Sequence, residues 1–197
     1  AQNMAMWAGR PLIISPQTIG PFNRPWIRRL ALNSMRRAAV VATRDAPSTA
    51  FAREMGFKGR LIEASDVAFR LAYDPPPARP AGGPIRVGIN VSGLLINGGY
   101  TRDNMFGLVA DYPRLAREMI AYFAREKACE VHLVGHVLAE SQAVEDDRAA
   151  GLMLAKEFPE AIVAPAFASP SEAKSYIAGM DFFIGARMHA CIAALTA

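Results

Sequence analysis

The chain of 197 residues has little of what staples or metallates a small protein: two cysteines and three histidines. Two cysteines make no disulfide framework. Cys129, beside a strand-like run, and Cys191, among small residues, are expected to be buried thiols in a reducing compartment. His, Cys, Asp and Glu nowhere fall at metal-ligand spacing, so no metal site is expected. No apolar run approaches the ~20 residues that span a bilayer, and the first residues lack the pattern of a signal peptide. The phosphate-cradling G-x-G-x-x-G and G-x-x-x-x-G-K-[ST] loops are absent, as is a G-x-S-x-G nucleophile elbow. Lysine is scarce, four against 18 arginines, and no basic run interleaves with aromatics. A nucleic-acid partner is therefore not expected.

What is present describes a globular protein: 52% hydrophobic and 20% charged residues. The net charge of +4 hides an asymmetry. Residues 1–84 hold 12 Lys/Arg against 5 Asp/Glu, whereas residues 85–197 hold 10 against 13. A basic first half suits a small anion or a membrane surface better than a duplex.

Short apolar strands alternate with helical stretches along the chain. Residues 2–9 resemble the tail of a helix. Strand 11–15, loop 16–25, helix 26–38, strand 40–42, helix 46–55 ending at Gly56, and a mixed segment 61–71 with Asp66 follow. Residues 73–84 contain five prolines and two glycines, the composition of a linker. The predicted organisation is a first lobe over 1–72, a linker over 73–84 and a second lobe over 85–197. In the second lobe the spacing predicts strand 85–91, a Gly-rich loop 92–104, helix 112–127, strand 131–134, helix 141–157 and strand 161–163. Ser169-Pro170-Ser171-Glu172 then opens a helix with a capping-box pattern, before strand 181–184 and a last helix. Such alternation predicts an α/β fold with parallel sheets in two Rossmann-like lobes flanking a cleft.

In open α/β sheets ligands bind beyond the carboxyl ends of the strands. The residues expected there are Gln17, Thr18 and Gly20; Arg44 and Asp45; Asn90 and Ser92; His136; and Arg187 and His189. The last group carries the plainest chemistry. Gly185-Ala186-Arg187-Met188-His189-Ala190 joins a buried strand to a helix, whose N-terminus offers unpaired N–H groups to an anion. Arg187 adds a fixed charge with fork geometry, and His189 adds a group that moves protons near neutral pH. His132, inside a strand, is expected to be a core residue. Arg44 and Asp45 fit a structural ion pair as well as a substrate contact. The helix carrying Trp26, Ile27, Arg28, Arg29, Arg36 and Arg37 fits either a solvated basic face or contact with an anionic membrane.

Four segments in register carry a resemblance. They are Pro16-Gln17-Thr18-Ile19-Gly20-Pro21-Phe22, Thr43-Arg44-Asp45-Ala46-Pro47-Ser48, Ser65-Asp66-Val67-Ala68-Phe69 and Arg187-Met188-His189-Ala190. Together with Val87-Gly88-Ile89-Asn90-Val91, the chain resembles the polysaccharide pyruvyl transferase family along almost its whole length. The resemblance implies a GT-B-like fold and transfer of a pyruvyl group from phosphoenolpyruvate to a sugar hydroxyl. The acceptor would be an exopolysaccharide or its lipid-linked oligosaccharide precursor, in the cytoplasm at the inner face of the membrane. Phosphoenolpyruvate would be a donor substrate, with no cofactor. The resemblance further implies that Arg187 holds the donor's phosphate or carboxylate and that His189 is the acid. Arg44 and Asp45 would order the site or the acceptor, and Gln17 to Gly20 would shape the wall of the first lobe.

Two departures accompany it. Family members commonly carry an Arg near the first strand of the second lobe; here Ile89-Asn90-Val91-Ser92 has only Arg86 before it and Arg102 after its loop. The family pattern also places strands before Ala1 and after Ala197, so the chain is expected to be an internal piece of a longer one. Two other readings stay open: a GT-B glycosyltransferase using a nucleotide sugar, and a non-catalytic relative that binds an anionic ligand. The acceptor sugar, the ketal position and the oligomeric state are not written in the sequence.

Overall fold

The computed structural model describes residues 8–79, 82–139 and 141–197. The helix tail expected over 2–9 lies almost wholly outside them. The chain forms two compact units, the first ending at Phe69 and the second running from Arg70. Both are Rossmann-like α/β units built on parallel sheets, and among the described residues they carry seven α-helices.

In the first unit, strands β1 (Ile13–Gln17), β2 (Val40–Thr43) and β3 (Leu61–Glu63) form a sheet in the order β1-β2-β3. Helix α1 (Pro25–Arg37) starts on a proline at its first position, where the missing N–H costs nothing, and ends on Arg36 and Arg37, which suit the carbonyl end of its dipole. Helix α2 (Ala46–Glu54) is capped by Asp45, whose carboxylate accepts from the Ser48 N–H at 2.7 Å. Past its end, Gly56 takes the left-handed conformation that the chain reversal needs, at φ 87°. Ile14, Ile19, Met35, Val41, Ala52 and Phe57 close the core between sheet and helices.

The second unit orders its sheet β6-β5-β4-β7, from β4 (Arg86–Asn90), β5 (Glu130–Leu133), β6 (Ile162–Val163) and β7 (Phe182–Gly185). Its helices are α3 (Gly93–Ile96), α4 (Tyr112–Ala121), α5 (Asp147–Glu157), α6 (Pro170–Ile177) and α7 (Met188–Leu195). Val87, Ile89, Val91, Val131 and Leu133 are buried against Ala116 and Ile120 of α4 and Ala150 and Leu154 of α5. Along β4 and β5 these buried residues alternate with Gly88 and His132.

Several element bounds differ from expectation for physical reasons. Helix 112–127 is α-helical only to Ala121. It widens into a π-turn over Tyr122–Glu126, closed by the Lys127 N–H bonding Tyr122 O at 3.0 Å. The helix expected from 141 begins at Asp147, because Asp146 caps it by accepting from the Ala149 N–H at 2.9 Å. The Ser169 cap forms, but Glu172 reaches one residue further back, to the Ala168 N–H. Both cysteines are half-buried rather than buried, since each lies at the margin of its core.

The proline-rich stretch is fastened along the second unit. The Asp74 N–H donates to Ser175 Oγ at 2.9 Å, and Arg79 pairs with Asp181. Lys174, 2% exposed, donates its Nζ to Leu71 O at 2.9 Å and sits over the Tyr73 ring. His132 is a sheet residue as expected, buried between the Tyr176 hydroxyl at 2.6 Å and Glu130 at 2.9 Å.

Candidate active site

Strands β5, β4 and β7 are neighbours and parallel, so their carboxyl ends emerge side by side. Asn90, the last residue of β4, ties these ends together. Its Nδ2 donates to Val134 O at 2.9 Å after β5, and its Oδ1 accepts from the Arg187 N–H at 2.9 Å after β7. Ser92 is buried too. Its Oγ caps α3 and its N–H donates to the Tyr112 hydroxyl at 3.1 Å. Burial raises the Tyr112 hydroxyl above the ordinary tyrosine value. Asn90 and Ser92 therefore act on the frame of the site, with their polar atoms engaged by the chain itself.

The centre of that frame is Asp147, whose side chain is fully buried. Its Oδ1 accepts from the Gly93 N–H at 2.9 Å, and its Oδ2 from the N–H groups of His136 at 3.2 Å and Val137 at 3.0 Å. Arg187 closes the set: Nη2 donates to Oδ1 at 2.8 Å and Nε at 3.2 Å, while Nη2 also bonds Glu145 O at 3.1 Å. A buried carboxylate is tolerable only with such complete pairing. Gly93 permits the approach, since a Cβ there would run into the carbonyl of Asp146. Arg187 Nη1 makes no hydrogen bond among the described residues. Nε and both hydrogens of Nη2 are spent on the protein, which leaves Nη1 as the one guanidinium nitrogen without a partner among the described residues.

Beside it stand two imidazoles. The rings of His136, after β5, and His189, in the first turn of α7, are nearly parallel at 7°, with centroids 6.5 Å apart. His136 is half-buried and His189 exposed. Burial, reinforced by His189 and Arg187, lowers the His136 pKa from the ordinary imidazole value. Arg187 precedes α7 without making a side-chain cap, which leaves the N–H groups of that helix's first turn for an anion.

The first unit gathers the other candidates at the carboxyl ends of β1 and β2. Gln17 O accepts from the Arg44 N–H at 3.2 Å. Exposed Gln17 and Thr18 border a groove of about 370 Å³ with Phe22, Ile27 and Leu30. Gly20 has φ 79° and faces the Phe51 ring too closely for any Cβ, so its place in the motif is conformational. Arg44 pairs with Asp66 at 2.7 Å, and Asp66 also accepts from the Ala68 N–H at 3.0 Å. Asp45 spends its carboxylate on capping α2, and the Ser48 hydrogen bonds hold it below the usual carboxylate range.

Neither arginine near β4 joins the site of the second unit. Arg86 opens the strand at its amino end and pairs with Glu130 at 2.7 Å, and Arg102 lies exposed in the loop. Sequence reasoning missed Asp147, Gly93 and Tyr112. The doublet Asp146-Asp147 ahead of a helical stretch was the available signal: one acid caps, and the next is left to turn inward.

An arginine, two imidazoles and a helix N-terminus without a side-chain cap thus meet at the carboxyl end of a parallel sheet in an α/β protein. The family model for polysaccharide pyruvyl transferase matches residues 4–197, and the chain belongs to that family. No curated protein and no solved structure matches it.

Proposed function

We propose that the protein transfers a pyruvyl group from phosphoenolpyruvate to a sugar hydroxyl of a surface-polysaccharide precursor. The observation that carries this is the Arg187 guanidinium, held by Asp147 with Nη1 spare, next to His189 and the open N-terminus of α7. Phosphoenolpyruvate bears two anionic groups, which need a cation and backbone donors. A sugar hydroxyl adds to C2 as the C2–C3 double bond takes a proton at C3. A second hydroxyl then bonds C2, inorganic phosphate leaves, and a cyclic ketal remains. His189 is the group placed to move a proton in this sequence, a role typically worth ~10²–10⁴-fold.

The acceptor is lipid-linked and met at the inner face of the membrane in this reading. Among the described residues no helix is long and apolar enough to cross a membrane. Trp26, Arg29, Leu30 and Arg37 fall on one exposed stripe of α1, which supports peripheral contact with an anionic surface.

The test is calorimetric titration of phosphoenolpyruvate into the protein, with UDP and a UDP-sugar in parallel and Arg187→Ala as control. Selective phosphoenolpyruvate binding that the variant loses supports the reading. Binding of the nucleotide alone replaces it with a glycosyltransferase, and donor binding without phosphate release in the presence of acceptor replaces it with a non-catalytic relative.

A further inference from the structure

The two imidazoles of the second unit are not equivalent, and we infer that His136 serves as a neutral hydrogen-bond donor, offering Nε2–H to the anionic ligand while His189 is the proton carrier. This rests on the reading of the site as one for phosphoenolpyruvate. Nδ1 of His136 is enclosed and has no hydrogen-bond partner among the described residues. A buried lone pair without a donor is a tolerable defect, whereas a buried N–H without an acceptor is rare. The proton of the neutral ring therefore sits on Nε2. That atom does not fall among the enclosed, unpartnered atoms and makes no hydrogen bond among the described residues, so its N–H is available to a ligand.

The charged ring is excluded by the same geometry. Protonation would put an orphan N–H on Nδ1 and a cation face to face with His189 at 6.5 Å. Arg187 adds further positive charge beside it. Among the described residues Asp147 is the acid facing the ring, and its oxygens are already shared among Arg187 and backbone N–H groups, two of them from His136 and Val137. Burial pushes His136 in the same direction. His189 keeps the exposed position over it, open to solvent and substrate. A neutral donor beside Arg187 binds an anion oxygen without competing for the transferred proton.

The test has two arms. Nitrogen-15 histidine spectra of the protein, recorded from pH 8 to pH 5 and assigned with His136→Gln and His189→Gln, read tautomer and charge directly. Expected is a His136 ring protonated on Nε2 alone, with a midpoint below that of an unfolded histidine. A proton on Nδ1, or a midpoint at or above the unfolded value, overturns the inference. In the second arm, Gln places an amide N–H where Nε2 was, and Asn does not. His136→Gln should hold phosphoenolpyruvate within about threefold of wild type, and His136→Asn should weaken it about tenfold or more. Equal losses in both overturn the donor role. If the wild-type protein binds no phosphoenolpyruvate, the proposed function fails, and the spectra still decide the tautomer.

Discussion

Asp147 and Arg187 meet through two nitrogens of the guanidinium, at 2.8 and 3.2 Å, while the other side of the carboxylate is closed by backbone N–H groups. The arginine is thereby an oriented group with only Nη1 lacking a partner among the described residues. The residues from β4, β5 and β7 share one anchor, so a change at Asp147 should be felt at all three strand ends.

Removing that anchor is the first test. Asp147→Ala leaves a half-buried guanidinium without its counter-ion and three backbone N–H groups without an acceptor. Loss of one partner of a buried ion pair costs about 3–5 kcal/mol, and urea unfolding should show a cost of that order. A double-mutant cycle with Arg187→Ala should show strong coupling. Additive effects would mean the two residues act separately.

Arg187 and His189 should separate kinetically. Arg187→Ala should abolish donor binding, whereas His189→Ala should leave donor affinity near wild type and lower turnover by roughly 10²–10⁴-fold. Normal turnover in His189→Ala would remove it from the chemistry.

At the opposite end of the sheet, Glu130 gives the fold an acid-sensitive contact. Hydrogen bonds from His132 and then from Arg86 hold its carboxyl below the ordinary glutamate value. A depressed acid contributes stability that is complete above the unfolded pKa of about 4.5 and is lost as pH falls through the lower folded value. Glu130→Gln should flatten the unfolding midpoint against pH over that window and leave it unchanged in shape near neutrality.

Asp45 offers a way to tell a cap from a substrate contact. Asp45→Ser keeps an oxygen for the Ser48 N–H and should preserve both the melting temperature and the acceptor KM, whereas Asp45→Ala should lower the melting temperature. A raised KM in the serine variant at unchanged stability would place the carboxylate on the acceptor.

The basic stripe of α1 is tested by flotation with vesicles. Arg29→Glu combined with Arg37→Glu should release the protein from vesicles containing anionic lipid, and neutral vesicles should bind neither form. Equal binding of both forms would assign the stripe to solvent.

The alternation of strand and helix was legible because apolar runs such as Val87, Ile89 and Val91 are bounded by turn residues, and caps such as Ser169 follow local rules. The Asp146 boundary was not: the pattern puts the helix start at 141, and the structure puts it at Asp147. The choice between them came from burial of Asp147 against Gly93 and Arg187. The π-turn after Ala121 escaped for a related reason, since its hydrogen bonds answer to packing and leave no local signature.

The sequence by itself determined the two parallel-sheet units and the family, because periodicity, caps and short motifs are local properties of the chain. Only the tertiary structure decided what each polar group does. Asn90 spends its side chain on the fold, Arg187 keeps Nη1, and His136 is left with a buried nitrogen that has no partner among the described residues, under His189. Those outcomes depend on partners 40 to 97 residues away, as between Arg187 and Asp147 or Asn90. Pairing energies at such separations are set by the register of neighbouring strands, which no stretch of sequence contains.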